Sequence, residues 1–251
     1  MKQLAKRLLR RIGIVALSSS HSAVRYVDHP PASVFGAMLL QRFPRLEGLT
    51  FVQVGANDGR RFDPIHGFVR RYGWRGVLVE PVPANFTRLK ANYAGTPGLT
   101  FLRAAVDLAR GRRTIYHLSE DTPPPVPEWA WGLASFERSH LLGTVKLQGW
   151  DVDVIAETEV PSIIWEDVWT HLPAEAGAAC DVLVVDTEGY DITLLRAADL
   201  AARRPRLIHF EHAHIPRADR LDFYASLVGL GYDFASDTAD TTAWLPRTPD
   251  G

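Results

Sequence analysis

The segment Phe51-Val52-Gln53-Val54-Gly55-Ala56-Asn57-Asp58-Gly59 constrains the fold more than any other stretch of this chain. An apolar run that passes straight into a glycine turn reads as a buried strand whose end lets backbone approach a bound molecule, because glycine carries no Cβ and tolerates unusual backbone angles. The same arrangement then repeats. Residues 62–72 read as a helix, 76–80 as a second strand, 83–93 as a helix with Asn85, Leu89 and Asn92 along it, and 99–106 as a third strand. Further along come a short helix at 164–171, a strongly apolar strand at 181–186, a helix at 190–200 and a strand at 206–211 behind Pro205. A helix at 219–230 and two strands at 232–235 and 242–245 around a polar turn close the chain. Repeated β-α units predict an α/β domain: a mostly parallel seven-stranded sheet with helices on both faces, and a terminal hairpin that adds one antiparallel edge strand.

Two regions stand outside this alternation. Residues 107–161 lose the periodicity, and 121–127 are proline-rich, so this stretch reads as an irregular insertion or lid within a domain spanning 46–251. Residues 1–45 read as an N-terminal helical extension. Its first part carries Lys2, Lys6, Arg7, Arg10 and Arg11 among leucines, a basic amphipathic pattern suited to packing on the domain or to peripheral contact with an anionic membrane surface. The uncharged run 12–17 is too short for a secretory core or a membrane span. In the second part, Val34, Met38, Leu39 and Phe43 recur at helical spacing before Pro44.

Composition narrows the class. With 251 residues, 46% hydrophobic and a formal charge of −1, the chain can bury a sizeable core. It lacks the excess of Lys and Arg that nucleic-acid binders use to neutralise phosphates, so a nucleic-acid partner is not expected. The single cysteine, Cys180, allows neither an internal disulfide nor a cysteine-based zinc site, which is compatible with a cytoplasmic protein, membrane-peripheral if the basic N-terminus binds lipid.

The acid that closes the second strand gives the glycine turn its meaning. Glu80, after Val77-Leu78-Val79, stands where a carboxylate accepts hydrogen bonds from two ribose hydroxyls. The turn is no dinucleotide fingerprint, because Asn57 occupies the place of the glycine that would let pyrophosphate approach. A phosphate-free adenosine cofactor fits Gly55, Asn57, Gly59 and Glu80 better. A nicotinamide-dependent oxidoreductase is the second enzymatic reading, and a catalytically inactive scaffold on the same fold is the non-enzymatic one.

These residues resemble the FkbM family of methyltransferases. The resemblance is carried by Val54-Gly55-Ala56-Asn57-Asp58-Gly59, by Val79-Glu80-Pro81 with Asn85, Leu89 and Asn92, and by Ala104-Ala105-Val106. Above all it is carried by Val184-Val185-Asp186-Thr187-Glu188-Gly189-Tyr190-Asp191. It implies a Rossmann-like class I methyltransferase fold, S-adenosylmethionine as donor, and methylation of a hydroxyl oxygen on a sugar, glycan or secondary metabolite. On this footing Gly55, Asn57, Gly59, Glu80, Pro81, Ala105 and Asp186 bind the cofactor. Arg103 departs from the family, where a small polar residue commonly stands.

Methyl transfer to oxygen needs near-attack geometry and a group that removes the hydroxyl proton. Asp186 ends its strand at the cofactor edge and Glu188 follows two residues on, so either can act as base, orient the acceptor or meet the donor's amino group. The competing reading makes Glu188 and Asp191 favourable charges at a helix N-terminus. Glu211-His212-Ala213-His214 ends the neighbouring strand; Glu211 or His212 is expected to face the acceptor, His214 less so. Two imidazoles with carboxylates would suit zinc or iron better than magnesium, but the sequence assigns no metal ligands. Trp129, Trp131 and Ser135 either shape an acceptor pocket or form insertion core, and Cys180 reads as structural.

Overall fold

The computed structural model describes residues 33–119, 126–173 and 180–246, and the basic segment 2–11 and residues 121–125 of the proline-rich run lie outside the described residues. In chain order the helices are α1 (Val34–Arg42), α2 (His66–Tyr72), α3 (Pro83–Asn92), α4 (Arg138–Gln148), α5 (Trp165–Trp169), α6 (Asp191–Ala197), α7 (Leu200–Arg203) and α8 (Arg217–Gly229). The strands are β1 (Thr50–Val54), β2 (Arg75–Val79), β3 (Leu99–Leu102), β4 (Ala105–Val106), β5 (Gly111–Leu118), β6 (Ala134–Ser135), β7 (Ile155–Ile163), β8 (Val182–Val185), β9 (Leu207–Glu211), β10 (Asp233–Ser236) and β11 (Asp240–Trp244).

Seven strands form the main sheet in the order β10-β11-β9-β8-β1-β2-β3. The order turns about β1, whose parallel neighbours are β2 and β8, so the loops after β1, β2 and β8 converge on one edge, where open α/β sheets place their ligands. The terminal hairpin corrects one expectation. The antiparallel strand is β11, wedged between β9 and β10, so the edge strand is β10. Ala243 and Thr242 on β11 are fully buried, which the sequence pattern of a short final strand does not reveal.

Alternate residues of the central strands feed two cores. Val52, Val54, Val77, Leu183, Val185 and Phe210 meet α5, α6 and α8 on one face. Phe51, Leu78, Val182, Val184 and Leu207 meet α1, α2 and α3 on the other. Helix α1 is therefore part of this packed domain and not an appendage: Phe35 and Leu39 are buried, the Phe35 ring lies 4.9 Å from His209, and Ser33 caps the helix by accepting from Gly36 N–H. Helix α2 starts later than its apolar pattern suggests, because Asp63 accepts from the Ile65 and His66 N–H groups and holds a turn ahead of it.

The stretch expected to be irregular is largely regular. β4, β7, β5 and β6 form a second, four-stranded sheet, in which β5 and β7 pair over eight residues from Gly111↔Ser162 to Leu118↔Ile155. The third predicted strand accordingly splits, with β3 in the main sheet and β4 in the second. Periodicity is masked there because much of β5 faces solvent with charged residues, Arg112 pairing with Glu159 across the strands. Among the described residues no helix is long and apolar enough to cross a membrane.

Candidate active site

The turn after β1 is held from three sides. Gly55 has φ +77°, and a Cβ there would stand 1.7 Å from the Asp186 carbonyl oxygen, so the β1 and β8 ends approach as closely as backbone allows. Gly59 N–H donates to Ala56 O, and a Cβ at Gly59 would strike Leu89 at 2.3 Å and Tyr93 at 2.7 Å. Asn92 donates to Asp58 O at 2.8 Å, while the Asp58 carboxylate accepts from the Arg60 and Arg61 N–H groups. Leu89 and Asn92 thus support this turn from behind. Asn85 reaches across to Trp131 O at 3.0 Å, and the Trp131 ring sits between the Arg61 and Arg88 guanidiniums, 5.4 and 5.0 Å from its centroid.

Glu80 faces the turn. Its carboxylate accepts from Asn57 N–H at 2.8 Å and Val82 N–H at 2.9 Å, one bond per oxygen, which leaves lone pairs for further donors. The side chain is buried, and burial pushes its pKa up to about 7 although the two N–H bonds pull the other way. Glu80 lines a cleft of about 900 Å³ with Gly55, Asn57, Pro81, Ala105 and Asp186. Of the residues expected to bind a cofactor, six stand on this cleft; Gly59 does not line it and serves the turn's shape. Arg103 is exposed and also lies off the cleft.

The far wall comes from the loop after β8. Asp186 borders this cleft and also a second cavity of about 1200 Å³, lined by Gln53, Arg60, Asp63, His209, Glu211 and Asp240. Surrounding protein and the nearby Glu211 charge raise the Asp186 pKa, and burial raises that of Glu188, with Asp186 adding repulsion. Burial lifts Glu211 to about 7 and Asp63 to about 6, and lowers His209 to about 4. Asp191, fully buried, accepts from Thr187 Oγ1, Thr187 N–H and Gly189 N–H, so it fastens this loop rather than reacting, with its pKa raised by burial to about 8.

His212 must be reassigned. Its buried ring bonds Thr241 Oγ1 at 3.0 Å, lines neither cavity, and ties the strand end to the terminal hairpin. His214 also lines neither cavity, but its Nε2 lies 3.5 Å from Glu188 Oε2 and 3.9 Å from Glu211 Oε1. Sequence reasoning missed His140, on α4 inside the supposedly irregular stretch. Its Nδ1 donates to Glu188 O at 2.9 Å and lies 3.2 Å from Ser135 Oγ, and its ring stacks on His214 at 5.9 Å. Gly189, φ +102°, makes room, since a Cβ there would meet His140 at 2.7 Å and His214 at 3.3 Å. Ser135 itself is buried on the first cleft, so it is a wall of the site. Cys180 is buried with its thiol pKa pushed up, as a structural residue should be.

A sheet ordered about its first strand, with a reversed strand next to its edge, a glycine turn after β1 and an acid closing β2, is that of a class I methyltransferase domain. A family model described as the methyltransferase FkbM domain matches residues 53–246, and the chain belongs to that family. Among solved structures, the FkbM methyltransferase of Methylobacillus flagellatus KT is similar at 14% identity and TM-score 0.48, over 78% of this chain and 43% of its own, so this chain spans less than half its length. The precorrin-6y C5,15-methyltransferase of Geobacter metallireducens is similar at 12% identity and TM-score 0.41, over 83% and 86%. The Methanococcus jannaschii fibrillarin pre-rRNA processing protein is similar at 9% identity and TM-score 0.43, over 86% and 76%. No curated protein matches the chain.

Proposed function

We propose that this protein transfers a methyl group from S-adenosylmethionine to a hydroxyl oxygen of a small polar acceptor, a sugar, glycan or secondary metabolite. The observation that carries this reading is the placement of the Glu80 carboxylate and the Asn57 turn on one cleft, with Asp186 opposite. Glu80 keeps free lone pairs for ribose hydroxyls, and Gly55 and Ala105 leave room for a nucleoside. When bound, the donor supplies an electrophilic methyl group on a sulfonium, which the acceptor oxygen takes as the C–S electron pair leaves on sulfur.

The chain's own residues hold the partners and manage one proton. Asp186 borders both cavities, so an acceptor in the polar second cavity lies beside a donor in the first. The hydroxyl proton passes to a carboxylate there, Asp186 or Glu211, whose raised pKa brings it toward the range where a base works near neutral pH. Carboxylates and arginines around the second cavity suit a hydroxyl-rich acceptor, and nucleic acid is not the expected substrate of so weakly charged a chain. The test is calorimetry with S-adenosylhomocysteine, followed by incubation with methyl-labelled donor and a panel of sugars and hydroxylated metabolites under mass spectrometry. Label on a hydroxyl oxygen is expected; label confined to nitrogen or carbon, or a folded protein blind to S-adenosylhomocysteine, overturns the reading.

A further inference from the structure

Glu188 from the loop after β8, Glu211 from the end of β9 and His214 from the loop behind it come together, and each offers a ligand atom within 4.8 Å of the others. Ligands about 2.1 Å from a tetrahedral zinc stand roughly 3.4 Å apart. The imidazole Nε2 lies 3.5 and 3.9 Å from the two carboxylates, so small side-chain rotations close the set.

The cluster lacks the partners that would otherwise explain it. Among the described residues neither Glu188 nor Glu211 forms an ion pair with a lysine or arginine, and His214 is the one basic side chain paired with either carboxylate. Glu211 Oε2 is shut off from solvent and has no hydrogen-bond partner there. A buried carboxylate oxygen left unbonded loses its hydration with nothing in return, so a ligand that occupies it stabilises the site. Asp186 adds a third negative charge beside Glu188 and Glu211.

We propose that Glu188, Glu211 and His214 bind one divalent transition-metal ion, zinc in type, between the two cavities. Two carboxylates and one imidazole form a three-ligand set of the kind that leaves a fourth position open for substrate or water. Glu188 lines the first cleft and Glu211 the second cavity, so that open position lies where the acceptor hydroxyl is expected. Coordination there would favour loss of the hydroxyl proton, which Asp186 is placed to receive. His140, bonded to Glu188 O, acts as a positioning residue for the loop that carries one ligand. This use of the ion rests on the methyl-transfer reading, whereas the ion's binding does not.

The experiment separates the two. Protein stripped with chelator is dialysed against zinc alone and assayed by elemental analysis, then loaded with cobalt(II) and examined by visible absorption. One zinc per chain and the intense bands of four-coordinate cobalt are expected. Glu211→Gln combined with His214→Ala, and Glu188→Gln by itself, should weaken uptake by more than the ~10–100-fold that an outer-shell change causes. Far-UV circular dichroism and the thermal unfolding midpoint of the metal-free variants, measured on the same samples, should match metal-free wild type and report that the variants fold. Stripped wild type that takes up no zinc, cobalt spectra of a hexaaqua type, or variants that bind as tightly as wild type overturn the proposal. Loss of S-adenosylhomocysteine binding by wild type with zinc still bound would overturn only the donor reading.

Discussion

The two walls of the cleft are built on opposite principles. On the β1–β2 side, side-chain acids are matched to backbone donors: Glu80 to Asn57 and Val82, Asp58 to Arg60 and Arg61. On the β8–β9 side, Asp186, Glu188 and Glu211 crowd together with only His214 as a basic partner among the described residues. The first wall is finished without its ligand, while the second is completed by one. A wall of the first kind suits a cofactor that never changes, and preformed geometry lowers the ordering cost of binding it.

The sharpest break of that comparison comes from the finished wall. Gly55→Ala forces a methyl group into the Asp186 carbonyl and strains a backbone at φ +77°. We expect a stability loss of about 4 kcal/mol or more, read by urea denaturation, with no measurable S-adenosylhomocysteine binding. A wild-type unfolding midpoint would show that the two strand ends are not pinned together. Glu80→Ala follows in size. On the proposed function it removes the carboxyl that accepts from the ribose hydroxyls, so calorimetry should find S-adenosylhomocysteine bound roughly 100-fold more weakly, about 3 kcal/mol. A change smaller than threefold would mean the nucleoside lies elsewhere.

Acidity compares the walls again. A carboxyl whose folded pKa exceeds its unfolded value keeps its proton longer in the folded state, so its contribution is present at low pH and lost as pH rises through the folded pKa. Glu80, at about 7, and Asp191, at about 8, both act in this sense. His209, lowered to about 4, works in the opposite sense but only below its ordinary 6.5. Between pH 6.5 and 8 these two acids should therefore cost the ligand-free protein roughly 2 kcal/mol of stability, and the raised carboxyls of Glu211, Asp186 and Glu188 add to the same fall. Asp191→Asn should remove the larger part of the share these two acids contribute, since an amide oxygen can take the same three donors. Chemical denaturation at three pH values measures it, and a flat or rising profile would refute the burial of these two acids.

How much was legible follows the same division. The finished wall is written locally: a strand, a glycine turn and an acid lie within residues 51–80, and each carries its physical reason in its own residue type. Asp186, Glu188 and Glu211 were readable as strand-end acids, since the main sheet brings β8 and β9 side by side. His140 was not, because it acts from a helix in a stretch whose charged, solvent-facing strands hide their period. Nor was the choice between His212 and His214, two residues apart. It depends on Thr241 of the terminal hairpin taking the first ring, a contact made only once β11 inserts beside β9. Pairings of this range carry no local signal.

The smallest expected effect tests how the second sheet serves the unfinished wall. Tyr190, next to the Asp186–Gly189 loop, donates to Asp107 Oδ1 at 2.9 Å, and Asp107 also receives Leu108 N–H and pairs with Arg113 of β5 at 3.0 Å. The Tyr190 ring meets Phe136 edge-on at 5.2 Å, and that contact survives in Tyr190→Phe. Because Asp107 keeps Arg113 and the Leu108 N–H, the lost hydrogen bond should cost only about 1 kcal/mol. S-adenosylhomocysteine binding should stay within about twofold of wild type, since no atom of the finished wall moves. Transfer at saturating donor should fall, because the loop that carries Glu188 loses a tie to the β4–β7 sheet. Equal losses in donor affinity and in transfer would mean that the two walls are mechanically one, and the contrast drawn between them would be wrong.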